Sequence, residues 1–363
     1  MATYFHALPI QKIEKVTDDC VSLSFAIPAD LQAAFQFTPG QYLTLRIQHQ
    51  GEELRRSYSI CSAPDDPLIA VAVKQMEAGK FSTKANQEFK VGDVIDVMEP
   101  MGNFIVKKKA TAKKYLFIAA GSGITPIMSL MQSILKQEPD AQITLLFGNK
   151  NRNSIMFKEK IEGLKNLYMN QLSVYHIFTR EVADTVLFNG RITKEKLASF
   201  GHLLLDYDTM DEVFICGPEE MILTARDYFH ENTSIDHHHI HVELFSSPDQ
   251  PKVVSDAWKK KLEQVDTTQK STVTVRVDGV AFDMELQYGG ESILDAALKH
   301  GADLPFACKG GVCATCKAKL VEGEVDMETN YSLESDELAS NFILTCQSHP
   351  RSPKVVVDFD FKG

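Results

Sequence analysis

Cys308-Lys309-Gly310-Gly311-Val312-Cys313-Ala314-Thr315-Cys316 places three cysteines within nine residues, and Cys346 follows after 29 more. Four thiolates at this spacing suit a 2Fe-2S cluster, in which two irons are held by cysteine sulfur. Gly310 and Gly311 let the backbone wrap closely round the inorganic sulfides. Ala314 and Thr315 are small enough to keep the loop tight, with N–H groups turned toward sulfur. Structural zinc also takes four thiolates but usually draws them from paired Cys-x2-Cys units, and here there is one such unit. The chain has seven cysteines, an odd number, and crowding of this kind fits a metal centre in a reducing compartment better than disulfides. Cys20, Cys61 and Cys216 read more simply as small buried residues.

Outward from this loop, Thr272–Val277 and Ala281–Leu286 flank Asp278-Gly279 as a hairpin, and 292–300 reads as a short amphipathic helix stopped by Gly301. Residues 272–363 are therefore expected to form a small α+β domain. They hold 15 acidic and 8 basic residues, net −7, which leaves −4 for the first 271. The preceding stretch, 248–271, is polar, with Gln-Pro and Lys-Lys-Lys, and reads as a linker with one helical turn near Trp258. Residues 108–247 alternate apolar runs (115–120, 143–147, 173–178, 212–216) with helical stretches, the rhythm of a doubly wound parallel sheet. Residues 1–107 hold short alternating strands broken by Pro39-Gly40, 63–67 and 91–93, the pattern of an antiparallel barrel. No internal repeat is present, and His237-His238-His239 reads as surface polarity.

With 363 residues, 44% hydrophobic and 24% charged, the composition excludes collagen-like, disordered and coiled-coil classes. A net charge of −11 argues against nucleic acid or an anionic membrane as the main partner. No apolar run approaches the length of a bilayer span, and MATYFHALPIQK is not a signal sequence, so a cytoplasmic location is expected.

Two further motifs carry chemistry. Arg56-Ser57-Tyr58-Ser59 at a strand end would suit a flavin: Arg56 to pair with pyrophosphate, Tyr58 to lie on the ring, Ser59 to hydrogen-bond its edge. Gly79-Lys80-Phe81-Ser82-Thr83 opens a helix downstream, where phosphate binds readily. Gly121-Ser122-Gly123-Ile124-Thr125-Pro126 follows an apolar strand and leads into a helix. Its glycines permit a tight turn, although Pro126 stands where the full dinucleotide fingerprint has a third glycine. Phe147-Gly148-Asn149, Cys216-Gly217-Pro218 and Glu243-Leu244-Phe245 fall at later strand ends.

Taken in order, Arg-Ser-Tyr-Ser, Gly-Ser-Gly-Ile-Thr-Pro, Cys-Gly-Pro, Glu-Leu-Phe and the four cysteines resemble the ferredoxin-NADP reductase superfamily with a plant-type ferredoxin domain fused at the C-terminus. The resemblance covers essentially the whole chain. It implies an FAD-binding antiparallel β-barrel, an NAD(P)-binding α/β domain and a β-grasp ferredoxin domain. Within the superfamily, 147–157 and the tail around 330–333 and 344–347 look most like the reductase subunits of phenylacetyl-CoA epoxidases; reductases of Rieske ring-hydroxylating or steroid-hydroxylating oxygenases are the alternative. By the resemblance Arg56, Ser57, Tyr58 and Ser59, helped by Val73, Lys74 and Gly79–Thr83, would bind FAD. Gly121, Gly123, Thr125, Pro126, Gly217 and Pro218 would hold the pyridine nucleotide. Cys216 and Glu243 would flank the hydride path at the flavin, with Phe245 near the isoalloxazine ring, though Cys216 and Phe245 also read as ordinary strand-end and core residues. Cys308, Cys313, Cys316 and Cys346 would hold the cluster. The strand ending in Gly148-Asn149-Lys150-Asn151-Arg152 offers two cations and no carboxylate, which leans toward the 2′-phosphate of NADPH over NADH. The implied partner is an oxygenase component, in the first case a di-iron epoxidase, docked on the acidic ferredoxin domain.

Overall fold

The computed structural model of the chain describes residues 5–106, 113–245 and 256–361. The domain boundary read at 107/108 and the first third of the linker, 248–255, lie outside them.

The first unit is built from strands β1 (Phe5–Thr17), β2 (Cys20–Phe25), β3 (Tyr42–His49), β4 (Glu52–Ser59), β5 (Ile69–Lys74) and β6 (Val94–Met98), with helix α1 (Lys80–Gln87) between the last two. All pair antiparallel in the order β4-β3-β6-β1-β2-β5, and a bridge between Ile60 and Val71 joins the two edges into a barrel. Alternation puts Leu23, Leu43, Leu45, Val71 and Val97 inside, all wholly buried.

The second unit alternates β7 (Lys114–Ala120), α2 (Ile124–Gln137), β8 (Gln142–Asn149), α3 (Lys158–Leu167), β9 (Leu172–Phe178), α4 (Lys194–Leu203), β10 (Glu212–Gly217), α5 (Glu219–Asn232) and β11 (Ile240–Leu244). The strands are parallel in the order β11-β10-β7-β8-β9. β7 and β10 are continuous apolar runs because helices cover both faces of the sheet. The order reverses direction beside β7, which puts a ligand crevice at the carboxyl end of that strand.

The third unit opens with α6 (Asp256–Leu262), which falls within the stretch read as linker. Its Trp258 is 6% exposed and packs its ring 5.0 Å from His349, because the short helix has an apolar face to bury. A mixed sheet follows: β12 (Lys270–Val277), β13 (Val280–Gln287), α7 (Ile293–Lys299), β14 (Lys317–Glu322), β15 (Val325–Met327), α8 (Ser335–Ala339), β16 (Phe342–Leu344), β17 (Ser348–Pro350) and β18 (Lys354–Asp358). Five strands pair as β13-β12-β18-β14-β16, with β12 and β18 parallel, and α7 packs against this sheet. That is the expected α+β ferredoxin arrangement. Among the described residues no helix is long and apolar enough to cross a membrane.

One charged group sits unusually deep in the second unit. Lys113 donates to Glu212 at 2.9 Å, and both side chains are 4% exposed. Burial alone would raise the Glu212 carboxyl, but hydrogen bonds from His241 and Lys113 outweigh it and hold the pKa at about 2. Removing one partner of a buried pair leaves the other charge without compensation, so Lys113→Met should cost about 3–5 kcal/mol of stability. Because the folded carboxyl titrates below its unfolded value, that stabilisation is present above about pH 4.3 and fades toward pH 2. Urea melts should therefore show the wild type and the variant converging as the pH is lowered through this window.

Candidate functional site

The four cysteines lie between the end of α7 and β17, each at most 8% exposed. Cys308 and Cys313 hydrogen-bond one another, as do Cys316 and Cys346. Among the described residues no three of these sulfur atoms lie within 4.8 Å of each other. A tetrahedral zinc with Zn–S bonds near 2.3 Å draws all four sulfurs to within about 4 Å. Two separate pairs fit two irons instead. The loop turns through left-handed residues at Lys309, Gly311 and Ala314. A Cβ on Gly311 would meet Thr329 Oγ1 at 3.0 Å and Gln347 Cγ at 3.1 Å, so that turn has no room for a side chain. The thiol of Cys308 is held below its ordinary pKa, first by the Cys313 thiol and then by the N–H groups of Gly310, Val312 and Cys313, against the effect of burial. Amides converging on sulfur stabilise the thiolate that iron requires, so the donor set fits a 2Fe-2S cluster.

A second centre forms where the barrel meets the parallel sheet. Ser59 at the end of β4 donates to Glu243 Oε2 at 3.2 Å, and Cys216 at the end of β10 lies 3.9 Å from the same oxygen. Cys216 and Ser59 are buried and Glu243 is partly buried, with its carboxyl end held between them. Burial raises its pKa to about 8 despite the Ser59 and Cys216 hydrogen bonds, and Glu243 therefore carries a proton at neutral pH. The Cys216 thiol is likewise pushed up by burial and by the neighbouring carboxyl.

The glycine turn lies alongside. A Cβ on Gly123 would come 2.1 Å from the Cys216 carbonyl oxygen, and one on Gly217 would meet Met221 Cε at 2.7 Å and Ala120 at 3.2 Å. The start of α2 and the end of β10 thus approach backbone to backbone, at the strand end where a dinucleotide fold seats its ligand. Gly121 has a φ of +55°, Thr125 donates to the Ser122 carbonyl, Pro126 lies in the first turn of α2, and Pro218 precedes α5.

The remaining expected residues are placed as follows. Tyr58 packs on Phe81, 5.5 Å between ring centres, so α1 supports the strand carrying the Arg-Ser-Tyr-Ser motif. Ser57 pairs across the sheet with Thr44, Arg56 is 8% exposed and donates to the Arg55 carbonyl, and Val73 is in the barrel core. Lys74 pairs with Asp19, and Lys80 with Glu52. Within α1, Ser82 accepts from the Met76 N–H, Thr83 meets Gln75, and the N–H groups of the first turn follow Gly79. Phe245, just past the end of β11, is 44% exposed. Lys150 and Arg152 stand past the end of β8. Arg152 is paired with Glu181 at 3.0 Å, so the fold supplies from the loop after β9 the carboxylate that the local stretch lacks.

Two residues that the sequence motifs do not single out join these centres. Arg55, 6% exposed, donates to the Leu304 carbonyl at 3.1 Å and to Asp303 at 3.3 Å, with its guanidinium 4.3 Å over the Phe306 ring. Tyr42 of β3, register partner of Ser59, reaches the cluster loop and packs with Ala307, Cys308 and Cys313. Tyr331 adds a bond to Glu219 of the second unit. The local signal for Arg55 and Tyr42 is weak: one precedes a motif, the other follows Pro39-Gly40-Gln41.

Three family models match in succession: an oxidoreductase FAD-binding domain over residues 7–105, an oxidoreductase NAD-binding domain over 117–227, and a 2Fe-2S iron-sulfur cluster binding domain over 275–351. One component protein of the 1,2-phenylacetyl-CoA epoxidase of Escherichia coli (strain K12) is 45% identical over 362 residues, 99% of each chain. The ferredoxin reductase component of the 3-ketosteroid-9-alpha-monooxygenase of Mycobacterium tuberculosis (strain ATCC 25618 / H37Rv) is 33% identical over 98% of this chain and 96% of its own. Among solved structures, phthalate dioxygenase reductase shares the fold over 98% of both chains, at a TM-score of 0.59 and 23% identity.

Glu243 provides a test of the cleft. Its folded pKa lies above the unfolded value of about 4.3, so its contribution to stability is present at low pH and lost as the pH rises toward 8. In flavin-free protein, Glu243→Gln should flatten this slope. The variant should gain on the wild type by roughly 2–4 kcal/mol between pH 5 and 8, at about 1.36 kcal/mol per pKa unit. Thermal melts across this range check it, and parallel slopes would place the carboxyl in water.

Proposed function

This chain belongs to the reductase components of multicomponent oxygenases that join FAD-, NAD- and 2Fe-2S-binding domains, and on that premise we propose that it supplies a di-iron phenylacetyl-CoA epoxidase with electrons from NAD(P)H. The observation that carries the electron-transfer reading is the meeting of the Ser59–Glu243 cleft and the Cys308–Cys313 loop at Tyr42. The acceptor is supported by 45% identity from end to end with the Escherichia coli epoxidase component, against 33% for the ketosteroid reductase. FAD held in this cleft would supply the conversion between a two-electron hydride donor and a one-electron cluster acceptor.

The protein's own part is to hold and orient. Arg56 is the proposed pyrophosphate partner, with Tyr58 against the flavin ring, Ser59 and Glu243 at its polar edge, and the α1 N-terminus, Val73 and Lys74 behind. The Gly121–Pro126 turn with Gly217 and Pro218 would seat the dinucleotide, and Cys216 and Glu243 would keep water from the hydride path. Phe245 is proposed to cover the flavin ring, and the four cysteines to hold the cluster. Lys150 and Arg152 support NADPH as donor; Glu181, already against Arg152, is the one observation that favours NADH. The acidic surface of residues 272–363 would dock on a basic face of the oxygenase.

Anaerobic titration of the holoprotein with each nucleotide tests the first part. Flavin and cluster bands should both bleach, faster with NADPH, and Glu181→Gln should widen that preference severalfold; a cluster that stays oxidised would overturn the reading. Coupled to the purified epoxidase, the reductase should support epoxidation at a rate that falls as ionic strength rises past about 0.1 M, where charges beyond about 10 Å are screened. Turnover with a Rieske oxygenase but none with the epoxidase would reassign the acceptor.

A further inference from the structure

Tyr42 runs from the strand under the Ser59–Glu243 cleft into the cysteine loop. Its backbone is pinned on both sides: Tyr42 N–H donates to Met101 at 2.8 Å, and Met101 N–H returns a bond at 3.1 Å. Gly102 makes room for the ring, since a Cβ there would stand 3.0 Å from Tyr42 Cδ1. The residue is 5% exposed, so its hydroxyl must find partners inside the protein. It finds two, the Cys313 carbonyl and Thr315 Oγ1, the latter at 2.9 Å. Thr315 in turn donates to Cys313 Sγ at 3.2 Å.

Thr315 spends its one hydroxyl proton on Cys313 Sγ, so toward Tyr42 its oxygen can only accept. The single phenolic proton of Tyr42 then lies between Thr315 Oγ1 and the Cys313 carbonyl, which can only accept, and in accepting from the phenol Thr315 becomes a better donor to the sulfur. Hydrogen bonds to cysteine sulfur raise the reduction potential of an iron-sulfur centre, because they offset the negative charge that reduction adds. The phenol belongs to the barrel, whereas the sulfur belongs to the third unit, so the chain Tyr42–Thr315–Cys313 exists only while the two are docked.

Resting on the electron-transfer reading above, we propose that Tyr42 is a positioning residue that ties the docking of the cluster domain to the potential of the cluster. In the docked state the phenol holds Thr315 on Cys313 and makes the cluster a better acceptor at the place where it receives electrons. On release the bond is lost and the cluster becomes a stronger donor. Arg55 holds the same interface but touches no cysteine, so its part is docking alone.

The experiment is an EPR-monitored redox titration of the holoprotein, with stopped-flow reduction by NAD(P)H alongside. Tyr42→Phe should shift the cluster potential negative and slow cluster bleaching by roughly three- to tenfold, the factor expected for loss of about one hydrogen bond. Flavin bleaching serves as the internal reference. In a Thr315→Ala background, Tyr42→Phe should produce less than half that shift, because the path to sulfur has already been cut. Replacing Tyr42 with 3-fluorotyrosine, a stronger donor of the same shape, should move the potential the opposite way and tests the idea even where the Phe variant folds poorly. An unchanged potential in both variants, with both chromophores reduced normally, overturns the role of Tyr42 and leaves the reductase reading intact. A wild-type cluster that nucleotide does not reduce overturns both.

Discussion

Electrons pass through protein efficiently only over short gaps, and this constraint organises the chain. The cleft at Ser59, Cys216 and Glu243 is built by two units from strand ends 157 residues apart in sequence, and the cysteine loop comes from a third. None of the three encloses a redox path by itself. The first two units are joined by buried bonds from Ser129 to the Ser62 carbonyl and from Gln132 to the Cys61 carbonyl, and what holds the third against them is a small set of contacts: Arg55 on the 303–306 stretch, Tyr42 on Cys313, and Tyr331 on Glu219. Each pairs a long side chain with a backbone carbonyl or a carboxylate, a geometry that fixes register with little buried area.

Inside the units, backbone approach sets the architecture. The turn after β7 touches the end of β10 so closely that Gly123 admits no side chain, and the same closeness puts the glycine turn beside Cys216. The buried Lys113–Glu212 pair sits at the opposite end of these strands, joined by His241. One end of the sheet is thus fastened by charge and the other kept open for a ligand, the usual polarity of parallel α/β sheets.

Much of this is legible in the sequence because it is local. Ligand spacing in Cys308–Cys316, the strand–turn–helix pattern around Gly121 and the barrel's alternation each depend on neighbours a few residues away. The contacts that the sequence hides join residues far apart. Arg55 and Leu304 are separated by 249 positions and Tyr42 and Cys313 by 271, and nothing in the local pattern of either marks its partner. Arg152 shows the same limit on a smaller scale: the strand end reads as cationic until the fold brings Glu181 to it. Trp258 reads as part of a linker because Lys-Lys-Lys follows it, yet its indole finds cover on the third unit and packs down.

That tryptophan is the sole one in the chain. Its ring stands against His349, three residues from Cys346, so its excited state lies within energy-transfer range of any cluster assembled there. The protein therefore carries an intrinsic optical reporter: its indole emission will dim as iron and sulfide are loaded and brighten as they are lost, without an added label.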